Sequence, residues 1–322
     1  MKIINIKDIE GIRIGNAQDF VGGTGCTVLL SETGMCAGLD VRGGGPASRE
    51  SELLKPLAAA QQIHAVLFGG GSAYGLDAAG GVMKFLEEKN IGLDVGVAKV
   101  PLVCQSDIFD LTVADPHARP DQSMGYEACV NAYQNNYQDG NFGAGTGATV
   151  GKFNGMDYCM KSGIGSYAVQ IGELKIGAIA VVNALGDIYD PHTGKILAGM
   201  LSDNKQTFAD TTKHLYQSYE IHENKFVGNT TLGAIITNGA FDKSQLCKIA
   251  GMTHNGYARS IRPVHTSADG DSIYALSVGS VAADTDMVGT LAADLMSEAI
   301  LSAVRNAESA YGFPACRDIS DK

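Results

Sequence analysis

Glycine is the feature that most restricts how this chain can fold. There are 41 glycines in 322 residues, roughly 13% against a usual value near 7%. They gather in short runs, Gly43-Gly44-Gly45, Gly69-Gly70-Gly71 and Gly80-Gly81, with no three-residue period. A collagen-like chain is thereby excluded, and close backbone packing with tight turns is implied. Hydrophobic residues make up 45% and charged residues 18%, so the chain can bury a full core as one large domain or two ordinary ones. With 24 Lys+Arg against 35 Asp+Glu the net charge is −11, which argues against a nucleic-acid or anionic-membrane surface.

The seven cysteines are scattered and form no C-x-x-C pair. They suit neither a disulfide framework nor a zinc site and read as small buried hydrophobes in a reducing compartment. Asn5, Lys7 and Asp8 break the first apolar run too early for a signal peptide. No segment reaches the ~18 uninterrupted apolar residues of a spanning helix. The expectation is a cytoplasmic protein.

Periodicity predicts buried strands over 26–30 and 65–68 and helices over 50–61, 72–88 and 122–133. The runs 167–171 and 175–183, separated by Gly172-Glu173, predict a hairpin. Residues 202–229 are polar and charged and predict an exposed linker with at most one helix, 205–216. The core pattern then resumes with a strand over 231–237, a helix over 242–257, a strand over 272–278 and a last helix over 287–311 that Gly312 would cap. This mixture favours an α+β sandwich with helices outside stacked sheets over a regular βαβ series.

Neither glycine run has nucleotide-loop spacing, and in Gly145-Thr146-Gly147-Ala148-Thr149-Val150-Gly151-Lys152-Phe153 a phenylalanine stands where Ser or Thr would hold magnesium. Tight packing is the better reading of the glycines. Lys152 is either a surface lysine or, held among apolar neighbours, one that assists a nucleophile. Asp269-Gly270-Asp271 is a turn signal whose carboxylates could also orient a nucleophile. With His265 it makes only a weak metal site.

The sharpest local feature is Gly228-Asn229-Thr230-Thr231-Leu232-Gly233, where the linker meets the next buried run. If the Thr230 hydroxyl attacks the Asn229 carbonyl, the peptide becomes an ester that water can open. Thr230 then carries its hydroxyl beside a free α-amine with a pKa near 8, able to act as its own base.

Seven blocks carry a resemblance over nearly the whole chain: Asp40-Val41-Arg42-Gly43-Gly44, Gly69-Gly70-Gly71-Ser72-Ala73-Tyr74-Gly75-Leu76, Gly143-Ala144-Gly145-Thr146-Gly147-Ala148, Val182-Asn183-Ala184, Asn229-Thr230-Thr231, Arg262-Pro263-Val264-His265-Thr266 and Asp269-Gly270-Asp271. In them the chain resembles the N-terminal-nucleophile hydrolases that include β-aminopeptidases, L-aminopeptidase/D-esterases and nylon-oligomer hydrolases, and at the Asn-Thr-Thr junction the last branch most. The resemblance implies a four-layer α/β/β/α sandwich spanning 1–322 and autocleavage between Asn229 and Thr230. The 1–229 and 230–322 chains would stay associated, and four processed units would assemble.

The same resemblance implies an amidohydrolase or aminopeptidase acting on small peptides, amino-acid amides or ω-amino-acid oligomers through an acyl-enzyme. Thr230 would be the nucleophile, Asn183 the oxyanion donor, Lys152 the nearby lysine, and Asp269 and Asp271 the orienting acids. No metal or organic cofactor is implied. The family's oxyanion-side tyrosine aligns with Phe109, which has no hydroxyl, and Tyr74 is a candidate substitute. Two alternatives stand beside this reading: an N-acyltransferase using the same threonine, and an unprocessed, silent homologue that binds a small ligand.

Overall fold

One strand, Thr24–Val41, is 18 residues long and joins two sheets. The computed structural model describes residues 1–219 and 228–319. In chain order the strands of the main sheet system are β1 (Lys2–Ile4), β2 (Arg13–Asp19), β3 (Thr24–Val41), β4 (Ala47–Arg49), β5 (Ile63–Gly69), β6 (Val103–Asp107), β7 (Ile164–Ile171), β8 (Leu174–Asn183), β9 (Thr230–Gly239) and β10 (Ser272–Val281). The helices are α1 (Ala78–Glu88), α2 (Gln122–Tyr133), α3 (Thr211–Gln217), α4 (Lys243–Ser260) and α5 (Thr285–Asn306).

The first half of β3 pairs with β2 on one side and β5 on the other. Its second half, Cys36–Val41, pairs with β10, and the register shifts between Leu30 and Met35 where the strand passes from one sheet to the other. One sheet therefore runs β1-β7-β8-β9-β10-β3 and the other β2-β3-β5-β6-β4. β9 with β10 and β5 with β6 are the parallel pairs of this system; its other ladders are antiparallel.

Period-2 alternation sorts the side chains into three cores. Ala178, Ala180 and Val182 of β8 pack with Leu246, Ile249, Leu295 and Ala299 of α4 and α5. The intervening Ile179 and Val181 face Leu29, Val66 and Phe68 of the other sheet. On the far side Val28, Leu30 and Leu67 pack with Val82, Leu86, Ala128 and Ala132 of α1 and α2. Three cores between helices, sheet, sheet and helices make four layers. Each fully buried Leu, Ile or Val contributes on the order of 1.5–3 kcal/mol, so all four layers are held by apolar burial.

Several elements meet their sequence expectation closely: the helix over 122–133, the hairpin at Gly172-Glu173, and the contact expected of Gly80-Gly81. A Cβ on Gly81 would lie 1.8 Å from the Gln122 carbonyl, so α1 and α2 touch backbone to backbone there. The helix expected over 50–61 is only a 3-10 turn, Ser51–Leu54. Pro56 removes a donor just where the helix would continue, and Leu57 points into solvent. The segment 72–77 is likewise 3-10 before α1 begins.

The last helix ends at Asn306 rather than 311, because Ala307 turns extended. Gly312, at φ +82°, serves a later turn closed by the Ala310–Phe313 bridge rather than capping the helix. α5 is long and apolar enough to cross a membrane by composition, but 67% of its most apolar window is buried, against β7 and β8. Within the linker, residues 202–219 are mostly exposed or half-buried, and the helix is shorter than expected. Thr211, at its start, is held by the buried Asp187, whose Oδ2 accepts from Thr211 N at 2.6 Å. Residues 220–227 of that linker lie outside the described residues, and its last residue, Asn229, is buried rather than exposed.

Candidate active site

Three strand ends meet at one place. β8 ends at Asn183 and β9 begins at Thr230, and the two residues are paired across the antiparallel ladder. β10 starts beside β9, Leu232 opposite Ser272, so Asp269, Gly270 and Asp271 enter at the same edge. From the second sheet, β6 ends two residues before Phe109.

Thr230 is buried, and its Oγ1 donates to the carbonyl oxygen of Asn229. The Gly270 amide donates to that same oxygen at 2.9 Å. Asn229 N donates in turn to Ala268 O at 3.3 Å, giving a parallel bridge between Asn229 and Asp269. Position 270 has no room for a side chain: a Cβ would lie 2.7 Å from Thr230 Oγ1 and 2.9 Å from Gly45 O.

The Asn183 amide is oriented by its neighbours. Its Oδ1 accepts from Lys152 Nζ at 2.7 Å and from Thr149 N at 3.1 Å, while its Nδ2 donates to Phe109 O at 3.0 Å. Donors surround one end and an acceptor meets the other, so a flipped amide would lose all three bonds. One N–H of Nδ2 is left for another acceptor. Lys152 is buried and also donates to Asn183 O at 3.1 Å. Burial pulls its pKa down to about 8, against the opposing pull of Cys159, Asp269 and Asp110. Gly151 sets the approach of this lysine, in the left-handed region at φ +75°, where a Cβ would lie 2.0 Å from Met200 N.

The two acids have separate tasks. Asp271 Oδ1 accepts from Thr231 N at 2.7 Å, and its Oδ2 accepts from His265 N at 3.1 Å and lies 2.8 Å from His265 Nδ1. Asp269 Oδ2 accepts from Thr266 N at 2.8 Å and Thr266 Oγ1 at 2.6 Å. Burial first, and the Asp271 charge second, push the Asp269 pKa up to about 6 while the Thr266 bonds pull the other way.

Both glycine runs serve close contacts, the first of them with backbone. Gly45 N donates to Asp269 O at 2.8 Å, Arg42 N to Asp271 O at 3.0 Å, and a Cβ on Gly43 would lie 2.3 Å from Asp269 O. The other run meets the chain's own carboxylate: Gly71 N donates to Asp110 Oδ1 at 2.6 Å, and a Cβ on Gly70 would lie 1.9 Å from Asp110 Oδ2.

Thr230, Asn229, Asn183, Lys152, Asp269 and Asp271 thus come together. Phe109 joins them through its carbonyl, and its ring packs on Gly228, where a Cβ would lie 2.2 Å from Phe109 Cγ. Tyr74 stands elsewhere, exposed with the Arg119 guanidinium 3.7 Å over its ring. Sequence reasoning missed the Gly270 amide, Thr149, the Phe109 carbonyl and Lys161. Lys161 is buried, and its Nζ donates to Gly145 O at 3.1 Å and Ala148 O at 2.9 Å, fastening the run before Thr149. Nothing local marks a lysine or a main-chain amide for such a place, although Gly270 sits inside a motif already noticed.

A hydroxyl against a carbonyl, with fixed neutral donors and a lysine of lowered pKa, suits acyl transfer chemistry. The model of peptidase family S58 matches residues 5–316. An uncharacterized aminopeptidase of Mycobacterium leprae is 35% identical over 337 residues, covering 96% of this chain and 92% of the relative. A 6-aminohexanoate-oligomer endohydrolase of Kocuria sp. is 28% identical, covering 92% and 85%. Among solved structures, an L-aminopeptidase D-Ala-esterase/amidase of Ochrobactrum anthropi, described as a variant of the Ntn hydrolase fold, superposes with a TM-score of 0.71 at 17% identity, covering 94% of this chain and 86% of that one. A Burkholderia β-aminopeptidase gives 0.69 at 16%, covering 98% and 94%. The fold is therefore that of the Ntn hydrolases, and the chain belongs to peptidase family S58, hydrolases of amide bonds.

Proposed function

We propose that this protein cuts itself between Asn229 and Thr230 and then uses Thr230 as an amino-terminal nucleophile against the amide bonds of small peptides, amino-acid amides or ω-amino-acid oligomers. The observation that carries this reading is the contact of Thr230 Oγ1 with the carbonyl group of the bond to be cut, whose oxygen also takes the Gly270 N–H. In the first step Oγ1 adds to the Asn229 carbonyl carbon, its proton passing to the Thr230 nitrogen, and the C–N bond breaks to leave an ester. Water then opens the ester, giving the Asn229 carboxylate and restoring the Thr230 hydroxyl beside the amine already freed.

In turnover that amine, with an ordinary pKa near 8, takes the Oγ1 proton as Oγ1 attacks the substrate carbonyl. The free N–H of Asn183 is suited to the developing oxyanion, a neutral donor already held in place by Lys152, Thr149 and Phe109 O. The Phe109 carbonyl serves Asn183 whatever the side chain, so the missing tyrosine hydroxyl does not by itself favour a silent homologue. The leaving amine departs with the proton that the Thr230 amine took up, and water releases the acyl group as its carboxylate, restoring the Thr230 hydroxyl.

Denaturing intact mass of freshly purified protein tests this reading. Two chains of about 24 and 10 kDa are expected, the smaller beginning at Thr230, while Thr230→Ala stays whole. A single stable chain of 33.6 kDa from the unaltered sequence would sink it.

A further inference from the structure

We infer that the acyl pocket is built for α-amino-acyl groups, and that the Phe109 ring closes it against anything larger than glycine on the amino side. The inference rests on the nucleophilic role proposed for Thr230. In the uncut chain, Asn229 is itself the acyl residue presented to Oγ1, so what holds Asn229 is a template for what the mature site can hold.

Asn229 is held by its main chain at two points, its N–H on Ala268 O at 3.3 Å and its C=O on Gly270 N at 2.9 Å. This is the pattern of a parallel bridge to Asp269, and it requires the nitrogen and the attacked carbonyl to flank a single carbon. An α-amino-acyl group satisfies both bonds at once. A β-amino or 6-amino acyl group that places its carbonyl on Gly270 N carries its nitrogen one or more atoms too far along, so the half-buried Ala268 loses that partner for its oxygen. Sites built to hydrogen-bond a polar group discriminate strongly against analogues that cannot supply it.

The next residue toward the amino terminus is Gly228, and it packs against the Phe109 side chain. A Cβ there would meet three ring and stem carbons, Cγ at 2.2 Å, Cβ at 2.4 Å and Cδ2 at 2.6 Å. A free amine or a glycyl extension fits this wall, and a larger residue does not. Phe109 thereby acts on specificity through its side chain while its carbonyl holds Asn183.

The test uses self-cleaved protein and the p-nitroanilides of L-alanine, β-alanine, 6-aminohexanoic acid, glycyl-L-alanine and L-leucyl-L-alanine. The L-alanine compound is expected to exceed the β-alanine and 6-aminohexanoyl compounds in kcat/KM by about tenfold or more, and glycyl-alanine to exceed leucyl-alanine by a similar factor. Phe109→Ala should bring that second ratio to within about threefold; Phe109→Leu is the substitute if the alanine variant does not fold. Equal or faster hydrolysis of the β- or 6-amino compounds overturns the acyl-class inference, and an unchanged second ratio overturns the role of the ring. Protein that stays uncut instead brings down the proposed nucleophile, and cut protein that hydrolyses none of the five brings down the proposed amide hydrolysis; this inference falls with either.

Discussion

Asp269 illustrates the conflict between stability and chemistry at a single residue. Its carboxyl is buried beside Asp271, and burial lifts its folded pKa to about 6, above the ordinary aspartate value of 3.8. The folded state thus binds more protons than the unfolded state between those values, so stability falls as pH rises from about 4 to about 6 and stays lowered above that. Asp269→Asn should raise Tm at pH 7.5 by about 3 °C, with the gain vanishing below about pH 4; thermal melts across that range check it. The same change removes the charge that faces Lys152 and weakens the acceptor of Thr266, which shapes the turn carrying the Gly270 amide. Self-cleavage of this variant should slow by about 100-fold, read as intact mass against time. In the parent, cleavage should slow as pH falls through about 6, and in the variant that dependence should be lost.

At the scale of elements, helices ride on strands where glycine lets backbones touch. A Cβ on Gly165 of β7 would lie 2.2 Å from Ala303 N and 2.4 Å from Ala299 O of α5, and one on Gly15 of β2 would lie 2.2 Å from Ala132 N and 2.4 Å from Ala128 O of α2. The two outer layers are seated by the same device on opposite faces. Gly165→Ala has to push α5 off its sheet, since rigid backbone is what it meets. It should lower stability by about 2–3 kcal/mol, measured by urea unfolding with the slope unchanged. The helix over 122–133 has the bounds its pattern predicts, and in the structure Asp121 caps it, its side chain accepting from Met124 N. The helix expected over 50–61 was not realised because one proline outweighs four well-spaced apolar residues.

Across the whole molecule the cut would fall inside the fold rather than between parts. β9, the first strand of the 230–322 chain, is paired along eight residues with β8 of the 1–229 chain. β10, from the same fragment, is paired with β3, and α4 and α5 cover both fragments' strands in one core. Separating the fragments means tearing the middle of a sheet and opening two apolar layers. The cleaved protein should therefore migrate natively as one species, in units of 33.6 kDa, four of them if the assembly implied by the resemblance forms. Native mass spectrometry of cleaved protein checks this, and fragments appearing alone without denaturant would contradict it.

The sequence by itself determined the inward-facing periodicity of most strands and helices, and it marked Thr230, Lys152, Asp269 and Asp271 as residues able to do chemistry. Period-2 and helical patterns are local, and the order of motifs places Thr230 at the junction of a polar linker and a buried strand. Tertiary structure alone decided which of these residues meet. The Asn183 amide is oriented by Lys152, 31 positions away, and by Phe109, 74 positions away. The oxygen of the bond to be cut finds its donor on Gly270, across a parallel bridge. Such pairings depend on strand register and on backbone amides that every residue possesses, and no local pattern distinguishes the one amide that is used.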